Sequence, residues 1–258
     1  MDVSAYLRRI NYAGPLEPMA EVLAGLHRAH MMAVPFENLD IALKRPIVLD
    51  EERFFDKIVV RRRGGFCYEL NGLFAALLLE LGFRVTLLSA RVADAKGRAH
   101  MEFDHMTLRV DLAPRGPDGT PESWLADVGF GDCFLEPLSL VPEMLQPQGG
   151  ATYRLMQKGE RWKLQRRDHT DWNMLYDFTL APRQLAEFSG MCHYHQTSPD
   201  SHFTQRSVCS RVTPTGRVTL ADMRLIWTDA DGRKERMLAS EEERAAVLRE
   251  QFGVELNL

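Results

Sequence analysis

The chain has 258 residues, 45% of them hydrophobic and 26% charged, with a formal net charge of -4. That composition fits a globular protein able to bury a sizeable core and excludes a large basic footprint for nucleic acid. No apolar run is long enough to span a bilayer, since the richest stretch, Leu73–Leu79, stops at Glu80.

The N-terminal residues lack the basic-then-apolar layout of a secretory leader. Residues 1–82 read mainly as helix. Between Pro18 and Ala29, apolar Met19, Val22, Leu23 and Leu26 fall at helical spacing, with Pro18 where a first turn tolerates it. The clearest helix runs from about Cys67 to Leu81, with Leu70, Leu73, Phe74, Leu77, Leu78 and Leu81 on one recurring face. Gly82 is placed to end it, and Gly64-Gly65 offers a sterically open turn ahead of it.

From Phe83 the period changes to two. Met106, Leu108, Val110 and Leu112 alternate with His105, Thr107, Arg109 and Asp111, which predicts a half-buried strand. The turn-rich segment Pro114–Pro121 follows, then extended character at Trp124–Val128 and further strands near Tyr153–Met156, Trp162–Gln165 and Leu175–Phe178. Beyond residue 190, Val208–Val212 and Arg217–Leu220 suit a hairpin and Arg224–Thr228 another strand. Ser240-Glu241-Glu242-Glu243 matches a capping box opening a last helix to about Gln251. The expectation is an α+β chain of helices (1–82), an antiparallel sheet or small barrel (83–190) and an α/β region (191–258).

The four cysteines, at 67, 133, 192 and 209, form no C-x-x-C pair and do not resemble a disulfide framework, so a reducing, cytoplasmic setting is expected. Cys67 stands out because it opens the long helix after Arg61-Arg62-Arg63-Gly64-Gly65-Phe66. A helix N-terminus and nearby arginines favour a thiolate, although a lone cysteine is commonly just a small buried hydrophobe. A nucleophilic cysteine needs a base, and the base an orienting group. If the strands around Pro114–Pro121 form a hairpin, His105 and Asp127 fall within a few positions of being cross-strand partners, with Cβ atoms about 5 Å apart. Structural roles remain open for both, and spacing alone does not bring Cys67 to them. Cys192-His193-Tyr194-His195 lacks the spacing of a common zinc motif, and no metal is expected. Arg61–Arg63 suits a structural role or a phosphate-facing one.

Arg62-Arg63-Gly64-Gly65-Phe66-Cys67-Tyr68-Glu69-Leu70-Asn71 resembles the nucleophile motif of the arylamine N-acetyltransferases. Val34–Asp40, His105-Met106, Asp127-Val128-Gly129-Phe130-Gly131 and Thr197–Phe203 resemble that family's other motifs, in its order and across nearly the whole chain. The resemblance implies a helical bundle, a β-barrel and an α/β lid, with a papain-like triad of Cys67, His105 and Asp127. It implies ping-pong transfer of an acetyl group from acetyl-coenzyme A, as cosubstrate, to arylamines, arylhydrazines or N-hydroxyarylamines, a xenobiotic-metabolising chemistry. It also implies that Glu37 and Arg63 pair to hold the active-site loop. Phe36, Tyr68, Phe130 and Phe203 are candidate walls of an aromatic acceptor pocket, or ordinary core aromatics. Gly129 and Gly131 would let a cofactor approach the backbone, or merely shape a turn. Asn11 stands where the family more often has glycine. The alternatives are an amide synthase fed by a carrier protein, a papain-like cysteine hydrolase, and a non-catalytic binding protein. No nucleic-acid or membrane partner is expected.

Overall fold

The computed structural model describes residues 1–94, 96–113, 121–168 and 170–256. The N-terminal region carries α1 (Val3–Arg9), α2 (Ala20–Ala33), a two-residue strand β1 (Phe36–Glu37), the short α3 (Leu39–Ala42) and α4 (Glu51–Phe55). A π-helical turn, Asp56–Val60, leads into α5 (Cys67–Glu80). Helix α5 is buried from Cys67 through Leu78. It packs against α1 and α4 on one side and the barrel strands on the other. A helix apolar nearly all round belongs at the centre, and that is where α5 lies. Gly82 follows it in the left-handed region, φ +85°.

Strands β2 (Arg84–Val92), β3 (His105–Leu112), β4 (Glu122–Ala126), β5 (Leu138–Ser139), β6 (Gln146–Gln148), β7 (Ala151–Lys158), β8 (Arg161–Arg167) and β9 (Asn173–Thr179) form one antiparallel sheet. Its spatial order is β5-β4-β3-β2-β9-β8-β7-β6. The sheet curls into a nearly closed barrel. At the seam the Gln146 side chain donates to the carbonyl of Ser139 and accepts from its amide. β3 and β4 pair as the expected hairpin, with Leu108 opposite Ala126. Of the turn-rich segment joining them, only Pro121 lies among the described residues. The barrel interior is filled by Leu125, Phe134, Leu155, Leu164 and Phe178.

After a 3-10 turn at Leu185–Phe188 come α6 (Ser189–Thr197), α7 (His202–Gln205), β10 (Val208–Thr213), β11 (Gly216–Ala221), β12 (Arg224–Asp229), β13 (Gly232–Met237) and α8 (Glu241–Phe252). Ser240 caps α8 by accepting from the Glu243 amide. β13 escaped the sequence reading because all six of its residues are exposed, leaving no alternation to detect. β1 joins this second sheet at the edge, beside β10. The N- and C-terminal regions thus share a sheet, and the expected boundary at 190/191 falls inside α6. Asn11 has φ +55°, a backbone region that glycine and asparagine adopt most readily.

A buried ion network sits beneath the start of α5. Arg63 donates to Glu37 at 2.9 Å and to Asp40 at 3.1 Å. Lys57 donates to both Glu69 oxygens, at 2.8 and 3.0 Å, and pairs with Asp40 at 2.8 Å. Burial alone would lower the Lys57 ammonium, but Glu37, Glu69 and Asp40 together raise it well above its ordinary range. The expected Glu37–Arg63 pair is therefore present, within a five-membered cluster. Substituting Lys57→Met strands Glu69 and Asp40 without their shared cation. A loss of about 3–5 kcal/mol is expected, read as a lower urea midpoint at unchanged slope.

Candidate active site

Cys67 is the first residue of α5, following Phe66 in extended conformation. The Phe66 amide donates to Glu69 Oε2 at 3.1 Å, so the carboxylate held by Lys57 also fixes the helix entry. Gly64 and Gly65 have no positive φ. Their need is space rather than an open turn. A Cβ on Gly64 would stand 2.0 Å from the Pro35 carbonyl oxygen.

One turn along α5, Asn71 faces the same way as Cys67. Its Nδ2 donates to the Met106 carbonyl at 2.6 Å and to Asp127 Oδ1 at 2.9 Å. Its Oδ1 accepts from the Val128 amide at 2.9 Å. The cysteine helix is thereby docked on β3, which bears His105, and on the segment just after β4, which bears Asp127. Gly129 completes the approach, because a Cβ there would lie 2.8 Å from Cys67 Cα. Packing of the chain on itself is sufficient reason for that glycine. Gly131, φ +91°, faces the Phe36 ring.

His105 Nε2 and Asp127 Oδ2 are 2.7 Å apart, both residues buried. The register explains it: Asp127 lies one step beyond Ala126, so His105 is its diagonal neighbour two residues along β3. Asp127 Oδ2 also accepts from the Tyr176 hydroxyl at 2.9 Å, and Oδ1 from the Gly129 amide at 3.0 Å. Burial would raise the carboxyl, but His105 and these donors outweigh it and hold it below its ordinary range. Phe130 and Tyr176 flank the His105 ring, with centroids 5.3 and 5.2 Å away.

Burial pushes the Cys67 thiol well up, opposed by a hydrogen bond from the Met106 backbone. The expectation that the helix N-terminus and nearby arginines would favour a free thiolate is thus reversed by desolvation. Arg63 is spent on Glu37 and Asp40, Arg61 pairs with the exposed Asp56, and Arg62 turns to a separate cavity. Phe36, Phe130 and Phe203 are half-buried around this centre, whereas Tyr68 is fully buried and spends its hydroxyl on the Phe103 carbonyl. Phe36 and Phe203 lie 6.2 Å apart. Cys192-His193-Tyr194-His195 lies on α6. Cys192 and His195 point inward and His193 outward. His195 Nε2 meets Asp104 Oδ1 at 3.3 Å.

A family model described as N-acetyltransferase matches residues 20–258. An arylamine N-acetyltransferase of Escherichia coli (strain K12) is 35% identical over 252 residues, covering 96% of this chain and 87% of the relative. The chain belongs to the arylamine N-acetyltransferase family. A Salmonella typhimurium protein named arylamine N-acetyltransferase / N-hydroxyarylamine O-acetyltransferase is 39% identical over 84% of this chain and 76% of its own length. The structure of the Mycobacterium marinum arylamine N-acetyltransferase in complex with CoA superposes with a TM-score of 0.88. It is 33% identical and covers 98% of this chain and 93% of its own. Among the described residues no helix is long and apolar enough to cross a membrane.

Three supporting residues of this acetyltransferase-family site were not singled out from sequence: Asn71, Tyr176 and His27. Asn71 was detectable as a polar residue four positions after Cys67 on a largely apolar helix. His27, on the buried face of α2, accepts from the Asp127 amide through Nε2 at 3.1 Å. An amide can only donate, so Nδ1 carries the proton and donates to the Leu135 carbonyl at 2.8 Å. Burial lowers His27 from 6.5 to about 4, against the opposing pull of these carbonyl and carboxylate neighbours. The unfolded chain therefore binds a proton between those values that the fold refuses. The stabilisation from neutral His27 is complete above the unfolded value and disappears as pH falls toward the folded one. About 3 kcal/mol should be lost over that window. Urea midpoints followed across it should fall more steeply for the wild type than for His27→Gln.

Proposed function

We propose that the protein transfers an acetyl group from acetyl-CoA to arylamines, arylhydrazines or N-hydroxyarylamines, through an acetyl-cysteine formed on Cys67. The observation that carries this reading is the buried His105–Asp127 hydrogen bond, set against the helix that begins with Cys67, in a chain of this family. Asp127 occupies Nε2 of His105, which leaves Nδ1 for the thiol.

In the first half-reaction His105 accepts the Cys67 proton, and the thiolate attacks the thioester carbonyl. The tetrahedral intermediate collapses, the bond to coenzyme A sulfur breaks, and the imidazolium returns its proton to the leaving thiolate. Backbone N–H groups of the first turn of α5 are the natural donors to the oxyanion, since such groups have no partner within the helix. In the second half-reaction the acceptor nitrogen or hydroxyl attacks the acetyl-cysteine and passes its proton to His105. The Cys67 sulfur then leaves and is reprotonated. An amine of low basicity is uncharged at neutral pH, so it enters an apolar site at small desolvation cost. The half-buried rings of Phe36, Phe130 and Phe203 suit such an acceptor.

The matching relatives carry acetyltransferase names, which favours acetyl-CoA over a carrier-protein donor. Intact-mass measurement after mixing with acetyl-CoA should reveal one added acetyl group, absent in Cys67→Ala and removed by an arylamine. Absence of acetylation on a protein whose Cys67 still reacts with a thiol reagent would overturn the acetyl-CoA reading. Asp127→Asn should slow acetylation by about 10²–10⁴-fold, because the amide neither orients nor charge-balances the imidazolium. Stopped-flow measurement of coenzyme A release checks that loss.

A further inference from the structure

Apart from the reaction centre, a cavity of about 520 Å³ opens where the ends of α1, α2 and α8 meet β10 and the turn after the π-helix. Five arginines line it, Arg9, Arg28, Arg62, Arg211 and Arg249, with Glu250 the one carboxylate among the lining residues. Arg28 is paired with Glu136. Arg9 is wholly engaged by backbone, donating to the carbonyls of Ile58, Ala33, Arg62 and Arg63. Arg211 donates to the Gln251 carbonyl at 2.7 Å, yet its Nε is buried without a partner.

Helix ends supply partial negative charge here, and Arg9 and Arg211 answer the carbonyls of α2 and α8. Nothing answers the other two. Among the described residues the side chains of Arg62 and Arg249 make no hydrogen bond or ion pair, and both residues are exposed. Arg62 holds φ +52°, a region that non-glycine residues adopt uncommonly. The cations press on one another: burial, then Arg62 and Arg211, lower Arg9 to about 10.

We propose that this cavity binds a multiply charged tetrahedral oxyanion of the phosphate class, clasped by Arg62, Arg211 and Arg249. Guanidinium forks match phosphate oxygens in pairs, and the free Nε of Arg211 supplies a directed donor. The three arginines come from the turn before α5, from β10 and from α8. A bound anion therefore ties the N-terminal helices to the C-terminal sheet. The lining shares no residue with the proposed reaction centre, so the proposal stands apart from the function given above.

Calorimetric titration with inorganic phosphate and pyrophosphate, at ionic strength held constant with chloride, tests it. Saturable binding is expected, tighter for pyrophosphate. Arg62→Ala/Arg249→Ala should weaken it about tenfold or more. Arg28→Ala, whose charge is already spent on Glu136, should change it by less than about twofold. Absence of saturable binding overturns the proposal, and so does unchanged affinity in the double variant, which would place the anion elsewhere. Should the double variant fail to fold, Arg249→Ala alone carries the test. It removes no bond within the described residues, and several-fold weakening is expected of it.

Discussion

Taking a carboxylate out of water costs several kcal/mol unless its lone pairs are met by donors, and Asp127 is completely buried. Its four donors come from different places: Asn71 on α5, His105 on β3, Tyr176 on β9 and the Gly129 amide of its own loop. Its backbone amide is tied to His27 on α2. The charge is tolerable only when all of these elements are in register together. Helix docking, strand pairing and barrel curvature are thus coupled through one carboxylate, and the contacts that satisfy it also hold the His105 ring in a single orientation.

The second buried charge group acts on the opposite side of the same helix turn. Glu37, Asp40 and Glu69 face Lys57 and Arg63, three acids against two bases. Their environments divide the imbalance. Burial outweighs Lys57 and raises Glu69, while Lys57 and Arg63 outweigh burial and lower Asp40. Glu69 spends its remaining capacity on the Phe66 amide. Cys67 therefore opens a helix turn held by Glu69, anchored to the ion network, and by Asn71, anchored to the Asp127 centre. The glycines at 64 and 129 serve the same end by letting backbone pass within contact distance of Pro35 and Cys67. Together these anchors hold the proposed nucleophile without help from a flexible loop.

Much of this was readable from periodicity, because the strongest signals coincide with the deepest burial. The α5 pattern and the alternation from His105 to Leu112 reproduce the observed elements almost to the residue. Hairpin arithmetic brought His105 and Asp127 within a few positions of each other, and a diagonal neighbour tolerates that offset, but their pairing as a site came from the family resemblance. Signals failed where side chains carry no periodic information. β13 is exposed throughout, and β1 is two residues borrowed by a distant sheet. Tyr176 and His27 were invisible for another reason. Each resembles an ordinary core residue, and its partner lies 49 or 100 positions away.

Burial of Cys67 bears on reactivity as well as packing. Desolvation penalises a lone thiolate, which is why the thiol is pushed up rather than down. In the proposed reaction the thiolate forms together with an imidazolium, and a proton passed between two buried groups adds no net charge to the site. In the proposed mechanism, the same apolar surroundings that suppress idle ionisation favour proton transfer to His105 over a free thiolate. Asp127, held below its ordinary range, is placed to stabilise the imidazolium in that proposed transfer. A dry site also disfavours water as the second nucleophile, while an uncharged aromatic amine gains apolar contact on entering. In the proposed mechanism, the burial that the folding constraints impose on Cys67, His105 and Asp127 thus favours acyl transfer over hydrolysis.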